Sequence, residues 1–334
     1  MNVRNADGLP AAVCRCGETR LAAEPVSRQN PIGLRVPGLR RNLRLIPRSR
    51  TATKKGDRVV LPTLLLGTTV GALSVAGWFS VRYAWWKPPI DWRYPRILMY
   101  HMVREHRPGT RFNKLRVTPR AFAEQLRWLT GERFQFLFAS ELFRNRELPE
   151  RSVCLTFDDG YADNLAEADP LLEQYGARAT LFLVSDRGGG WSSLKKSHHS
   201  DEELQSEPKL TDDQVRSMLA SGRWELGGHT RTHANLAALS PEEARPEIVG
   251  ATQDFPRIFG QPVPTFAYPF GIYGRDHTAM VREAGFAGAF TTEPGISRWP
   301  FADSWEVPRI KVAGNDSLTA FRMRIRTGKR GLFS

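Results

Sequence analysis

Two adjacent carboxylates, Asp158 and Asp159, follow a stretch in which apolar and polar residues alternate from 152 to 157, and Gly160 comes directly after them. Alternation of this kind predicts a strand that ends at the pair. Two neighbouring carboxylates are costly to ionise together unless a cation or a hydrogen-bond donor lies between them. An Asp-Asp-Gly turn without chemistry is the alternative, whereas an EF-hand loop fits poorly because its third acid and its Gly are missing.

Two imidazoles, His229 and His233, stand four residues apart after a second predicted strand at 224–228. The spacing alone is weak support for a site, since two histidines four apart on any helix would show it. One Asp and two His residues nevertheless form a three-ligand metal set that leaves positions open for water. If the strands close into a barrel, the Asp pair and the His pair meet at one end, and we predict a metal site there.

A third segment, Phe-Ala-Tyr-Pro-Phe-Gly at 266–271, carries a sharp bend. Pro269 and Gly271 fix that bend, which could aim backbone N–H groups at a developing oxyanion. An ordinary turn from a strand to a helix is the alternative.

Strands and helices alternate through the C-terminal two thirds of the chain, which favours parallel βα units and a closed barrel. Helices are predicted to begin after Thr118, Thr211 and Ser240, each of which is a good N-cap residue. The polar, Gly-rich segment 186–208 is predicted to be an exposed loop. Further strands are predicted at 97–100, 179–184, 264–268, 287–291 and 305–312, and a further helix at 276–284.

Basic charge is concentrated near the N-terminus of this chain of 334 residues, whose formal net charge is +13. Residues 1–58 hold 13 Lys and Arg against 4 Asp and Glu, a balance of +9, and the rest holds 35 against 31, a balance of +4. Because 1–58 lacks apolar periodicity and aromatic residues, we predict a disordered tail. No nucleic-acid partner is expected, since the bases stop at an apolar segment and can equally meet anionic lipid.

That apolar segment, 59–81, runs for 23 residues without a charge, which is long enough to span a bilayer. We predict an uncleaved single-pass anchor, with cleavage near 74–76 as the alternative. The positive-inside rule places the amino end in the cytoplasm and the following domain in the periplasm or outside the cell. The predicted organisation is therefore a tail at 1–58, an anchor at 59–81, a linker at 82–94 and a catalytic domain at 95–334.

The cysteine count excludes a disulfide scaffold. Only three cysteines are present, and Cys14 and Cys16 in the tail lack the spacing of a zinc knuckle. Cys154, inside the strand that precedes the Asp pair, is predicted to be a small buried hydrophobe.

Over roughly residues 95 to 315 the chain resembles the polysaccharide deacetylase family, the NodB-homology or carbohydrate esterase family 4 enzymes. The resemblance rests on Thr-Phe-Asp-Asp-Gly at 156–160, His-Thr-Arg-Thr-His at 229–233 and Tyr-Pro-Phe-Gly at 268–271. It implies a distorted (β/α)7 barrel, here preceded by one transmembrane helix. It also implies that Asp158 is the catalytic base, that Asp159, His229 and His233 bind a divalent metal, and that the N–H of Phe270 stabilises the oxyanion. Zn²⁺ is the first choice of metal, with Ni, Co or Fe as alternatives.

Two features depart from the family pattern. Family members commonly carry an Arg that pairs with the base where this chain has Ala267, and the late Leu-x-x-His motif of the general acid is missing after residue 277. A branch that acts on poly-β-1,6-N-acetylglucosamine looks circularly permuted, with its acid His at an early Tyr-His strand end. Tyr100-His101 matches that pattern, so His101 is predicted to be the general acid, and Arg309 is the candidate for the absent Arg.

The resemblance implies hydrolysis of N-acetyl groups on an amino-sugar polymer, with an N-acetylated glycan as substrate. Asp158 would take a proton from water and His101 would protonate the leaving amine. A non-catalytic carbohydrate-binding scaffold and a deacylase of a lipid-linked sugar are the alternative functions.

Overall fold

The structure is a computed structural model that describes residues 57–187 and 202–331, with side chains from residue 68 onward in the first range and from residue 203 onward in the second. The chain divides into two units, Met1–Asp57 and Arg58–Ser334. The predicted tail lies outside the described residues, apart from its last two.

The strands are β1 Arg96–Tyr100, β2 Met102–Val103, β3 Arg116–Val117, β4 Gln135–Phe136, β5 Ser152–Asp158, β6 Ala179–Leu183, β7 Trp224–Gly228, β8 Thr265–Ala267, β9 Gly288–Pro294 and β10 Val307–Lys311. The helices are α1 Asp57–Tyr83, α2 Pro119–Gly131, α3 Glu141–Arg144, α4 Asp169–Gln174, α5 Glu202–Gln205, α6 Asp212–Ala220, α7 Pro241–Phe259, α8 Arg275–Glu283 and α9 Leu318–Thr327.

Seven parallel strands close into a barrel, as predicted. Strands β5 to β10 follow one another in chain order, and β1 closes the barrel by pairing with both β5 and β10. The short strand β4 adds to β5 outside the closed ring. Since all seven strands are parallel, their carboxyl ends meet at one end of the barrel, where the loops that follow β1, β5, β7 and β8 come together.

The predicted helix starts are confirmed. Thr118 accepts a hydrogen bond from the N–H of Ala121 at the start of α2, and Pro119 occupies the first helical position. Capping boxes begin α6 at Thr211 and α7 at Ser240. Each cap satisfies N–H groups that have no partner within the helix, which is why these polar residues mark the boundaries in the sequence.

Strand β5 is buried at every residue. Cys154 is completely buried, as predicted, and burial raises the pKa of its thiol well above the ordinary value. The ring of Phe157 stacks on Tyr100 of β1 with centroids 5.2 Å apart. The strand that carries the Asp pair is therefore fixed by apolar contacts on both of its faces.

The prediction that 186–208 is an exposed loop is only partly right for the residues that the structure describes, since 186, 205, 206 and 208 are exposed. Helix α5 lies within it, and Leu204 is 4% exposed while Glu207 is 3% exposed. Glu207 is buried because it pairs with arginines about one hundred residues earlier in the chain. Local composition cannot reveal a partner at that sequence distance.

Helix α1 covers the predicted anchor at 59–81. Within the described residues, no helix combines the length and the hydropathy that crossing a bilayer requires. The anchor, its topology and the location of the catalytic domain stay predictions.

Arg96, the first residue of β1, holds the amino end of the barrel strands together. It is completely buried, and its guanidinium donates hydrogen bonds to the carbonyl oxygens of Ile90, Asp91 and Tyr94 and to that of Ile325 on α9. Burial lowers the pKa of Arg96 to about 10, so the group stays charged at neutral pH. One side chain thus ties the segment before the barrel and the last helix to β1.

We expect Arg96→Met to lower the free energy of unfolding by about 3 kcal/mol, because it leaves several buried carbonyl groups without a donor. The urea midpoint of the full-length chain measures this. Arg93→Met is the matched control, since Arg93 is exposed and pairs only with Asp91 in the described structure. Equal midpoints for the two variants would contradict the role of Arg96.

Candidate active site

One cavity of about 330 Å³ lies at the carboxyl end of the barrel strands. Six of the seven predicted site residues line it, although their positions span 170 residues of sequence. The seventh, Arg309, contacts one of the six directly. The lining residues are His101, Asp158, Asp159, His229, His233 and Phe270.

Asp159, His229 and His233 form a buried cluster whose potential ligand atoms all lie within 4.8 Å of one another. Oδ1 of Asp159 is 3.2 Å from Nε2 of His229 and 3.1 Å from Nε2 of His233. One carboxylate and two imidazoles converging on one point are donors that Zn²⁺ and similar divalent metals accept. The residues present therefore fit the predicted metal.

The surroundings of the cluster favour its ligating forms. Nδ1 of His229 lies 2.8 Å from the carbonyl oxygen of Ala267. Because a carbonyl oxygen can only accept a hydrogen bond, Nδ1 carries the hydrogen, and the lone pair of Nε2 is free to bind a metal ion. Burial lowers the pKa of His233, which favours the neutral imidazole. Burial opposes ionisation of Asp159, but the two histidines hold its pKa well below the ordinary value.

Asp158 and Arg309 form a buried, two-pronged ion pair. The Nη1–Oδ1 and Nη2–Oδ2 distances are both 2.7 Å, and the side chains are 3% and 0% exposed. Arg309 also donates to the carbonyl oxygen of Thr291 and to Oγ1 of Thr156, which fixes the plane of the guanidinium. Burial would raise the pKa of Asp158, but Arg309 overrides it and holds that pKa below the ordinary value. The carboxylate next to the cluster is therefore ionised and oriented.

Position 267 holds Ala where polysaccharide deacetylases commonly carry the Arg that pairs with the base, and the structure shows which residue replaces that Arg. The side chain of Ala267 is small and buried between β7 and β9, and its backbone carbonyl serves His229. The guanidinium reaches Asp158 from β10 instead, as predicted for Arg309.

His101 reaches the cavity because β1 pairs alongside β5. Tyr100 registers with Phe157, so the residue after β1 lies beside Asp158 at the end of β5. The side-chain amide of Asn164 donates to the carbonyl oxygen of His101 at 2.9 Å and holds the strand end. His101 therefore lies next to Asp158, although 57 residues separate the two in the sequence.

Three site residues have left-handed backbone conformations. Asp159 has φ 82°, His233 has φ 58° and Phe270 has φ 60°. Such conformations are costly for residues other than Gly and persist where the surrounding structure enforces them. After Phe270, a Cβ atom on Gly271 would lie 2.0 Å from Oγ1 of Thr292, so the bend demands glycine. The sequence pattern Pro-Phe-Gly marks this bend, as predicted.

Sequence reasoning missed one wall of the cavity. Leu204, within α5, lines it. Glu207, three residues later, pairs with Arg107 at 3.0 Å, with Arg116 at 2.8 Å and with Arg104. Glu203 adds a second ion pair to Arg116, which is completely buried. The only sequence feature that could have indicated this wall is the pair Glu203 and Glu207, four residues apart and close to Leu204. Such a pair is equally typical of an exposed helix face.

Comparison with known proteins adds independent support. The polysaccharide deacetylase family model matches residues 145–289, which include Asp158, Asp159, His229, His233 and Phe270. Bacillus subtilis YxkH, whose name assigns it to the polysaccharide deacetylases, is 29% identical over 250 residues, covering 74% of this chain and 81% of YxkH. The poly-beta-1,6-N-acetyl-D-glucosamine N-deacetylase of Staphylococcus epidermidis is 26% identical over 239 residues, covering 65% of this chain and 78% of that protein.

Among solved structures, the deacetylase PplD from Streptococcus pyogenes in complex with acetate superimposes with a TM-score of 0.58 and 26% identity. The match covers 71% of this chain and 99% of PplD. The barrel, the cavity and the arrangement of the motif residues agree with these similarities. Residues 145–289 therefore match a polysaccharide deacetylase domain, and the similarity to proteins named as deacetylases indicates an enzyme that removes acetyl groups.

Proposed function

We propose that this protein is a metal-dependent hydrolase that removes N-acetyl groups from an amino-sugar polysaccharide, with poly-N-acetylglucosamine or a similar glycan of the cell envelope as substrate. The observation that carries the proposal is the buried Asp159, His229 and His233 cluster beside a carboxylate that an arginine keeps ionised. The similarity to the Staphylococcus epidermidis enzyme supports the choice of glycan.

Asp159, His229 and His233 would hold the divalent metal. When bound, such a metal supplies a Lewis acid that lowers the pKa of water and polarises the acyl carbonyl. Phe270 lines the same cavity and has a left-handed backbone conformation. Its N–H would donate to the carbonyl oxygen of the substrate as negative charge develops there.

Asp158 and His101 divide the proton transfers. Asp158, ionised beside Arg309, accepts a proton from the attacking water while the oxygen of that water bonds to the acyl carbon. His101, from the neighbouring strand, donates a proton to the sugar nitrogen as the carbon–nitrogen bond breaks. Water and amide are thereby converted to acetate and a free amine.

A non-catalytic scaffold, the alternative left open by the sequence, would gain nothing from this arrangement. Burying an ion pair such as Asp158–Arg309 gives little or no net stability compared with apolar residues of the same shape. Its retention next to a ligand cluster is better explained by a reaction that needs an ionised base.

We expect the full-length protein to release acetate from N-acetylglucosamine oligomers, to lose this activity in chelator and to regain it when Zn²⁺ is added. Metal analysis and an acetate assay measure both parts. Asp158→Asn is the control, because it should bind metal normally and release acetate about 10²–10⁴-fold more slowly. Bound metal without acetate release from any N-acetylated glycan would contradict the proposed substrate, and activity that resists complete metal removal would contradict the metal.

Removing the guanidinium beside the base should move the pH dependence of the reaction. In the wild type, the pKa of Asp158 lies below the ordinary value, so the base is ionised throughout the neutral range. In Arg309→Met burial is no longer opposed by that charge, the pKa of Asp158 rises, and the acid limb of the kcat/KM profile shifts to higher pH. Arg309→Lys keeps the charge and should shift less. An unchanged acid limb in Arg309→Met would exclude this role.

His101→Ala should slow amide hydrolysis by about 10²–10⁴-fold, since an amine leaves poorly without a proton. An activated aryl acetate is the internal control, because its phenolate leaves without protonation and its hydrolysis should change little. Metal content should equal that of the wild type. Equal losses on both substrates would show that His101 has a structural role instead.

A further inference from the structure

Two lysines at the mouth of the cavity carry charge that nothing in the described structure neutralises. Lys311 is the last residue of β10, two positions after Arg309. Residues two apart on a strand share a face, so Lys311 lies on the same side as Arg309, about 7 Å further along the strand towards the cavity mouth. It lines the cavity and is exposed.

Lys114 reaches the same cavity from a short turn, Asn113–Leu115. Its carbonyl oxygen accepts a hydrogen bond of 2.9 Å from the N–H of Gly314, in the loop that follows β10. A Cβ atom on Gly314 would lie 1.9 Å from the carbonyl oxygen of Arg116, so this approach of two backbone segments requires glycine. The turn that carries Lys114 is therefore held against the end of the strand that carries Lys311.

Other charged groups that line the cavity have partners. Asp158 pairs with Arg309, Asp159 lies against two histidines, and Arg324 donates to Asp316 at 2.8 Å. Within residues 57–187 and 202–331, neither Lys114 nor Lys311 has a carboxylate within the 4.0 Å of an ion pair. A divalent metal at the cluster would add further positive charge. The mouth of the cavity thus attracts anions.

We propose that Lys114 and Lys311 bind an anionic substituent, a carboxylate or a phosphate, on a sugar next to the one that loses its acetyl group. This inference rests on the proposed function and adds a preference, within its substrate class, for N-acetylated glycans that carry negative charge. A neutral homopolymer of N-acetylglucosamine offers these ammonium groups only hydroxyl and amide oxygens. An anionic neighbour gains two charge-assisted contacts at the mouth of the cavity.

The test compares three tetrasaccharides of N-acetylglucosamine on the full-length, Zn²⁺-loaded protein: one neutral, one with a carboxyl-bearing ether on a single sugar and one with a phosphate on that sugar. We expect kcat/KM to be about tenfold higher for at least one anionic oligomer than for the neutral one at low salt, mainly through KM. Whichever of the two anionic oligomers has the higher kcat/KM identifies the preferred anion as carboxylate or phosphate. The double variant Lys114→Gln/Lys311→Gln should lose the advantage, so that its kcat/KM is the same for anionic and neutral oligomers. Lys329→Gln should retain the advantage, because Lys329 is exposed and does not line the cavity.

Calorimetric binding to the metal-loaded Asp158→Asn variant separates this inference from the proposed function. Tighter binding of an anionic oligomer that the two lysine substitutions abolish supports the inference, even if no acetate is released by the wild type. Equal binding of neutral and anionic oligomers overturns it, even if the wild type deacetylates both. An anionic preference that survives the double substitution also overturns it, because the charge would then be read elsewhere.

Discussion

The contact between Asp158 and Arg309 links catalysis to the closure of the barrel. The two residues lie on β5 and β10, which are not paired with each other, and β1 runs between them. Thr156 completes the connection, because its hydroxyl donates to the carbonyl oxygen of Leu98 on β1 and accepts from Arg309. A buried pair of this kind is destabilising when one partner is missing, since the other charge is then left without compensation. The carboxylate of Asp158 can therefore be oriented only when all three strands are in register.

The same dependence on closure explains the position of His101. It lies beyond the end of β1, which in this chain comes before the Asp pair, while the cluster of Asp159, His229 and His233 lies at the ends of β5 and β7. A parallel barrel makes chain order irrelevant to proximity at its carboxyl end. A histidine at this position in the cavity can thus come from the first strand of the barrel as readily as from a later one.

Electrostatics divides the cavity into an inner and an outer part. Inside, each charge is compensated by a rigid partner, and three left-handed residues hold the ligands and the N–H of Phe270 in place. Outside, the arginines around Glu207 hold the segment beside Leu204 against the rest of the wall. Under the proposed function, a site built this way would keep the reacting groups fixed and leave recognition of the glycan to the rim.

The sequence by itself determined the barrel, the ligand cluster and the bend at Phe270. Those features depend on local patterns: alternation in the strands, Thr118, Thr211 and Ser240 at the helix starts, and His residues or an Asp pair at strand ends. The sequence offered Arg309 only as a candidate, and the tertiary structure decided that its guanidinium meets Asp158, since 151 residues separate them and several arginines could have served. The same holds for Glu207, which local composition placed in an exposed loop and the fold buried among arginines about one hundred residues earlier. The physical reason is that the periodicity of apolar residues along a segment decides whether it forms a strand or a helix and which face is buried. The ionic partner of a residue depends instead on which strands are brought together when the barrel closes.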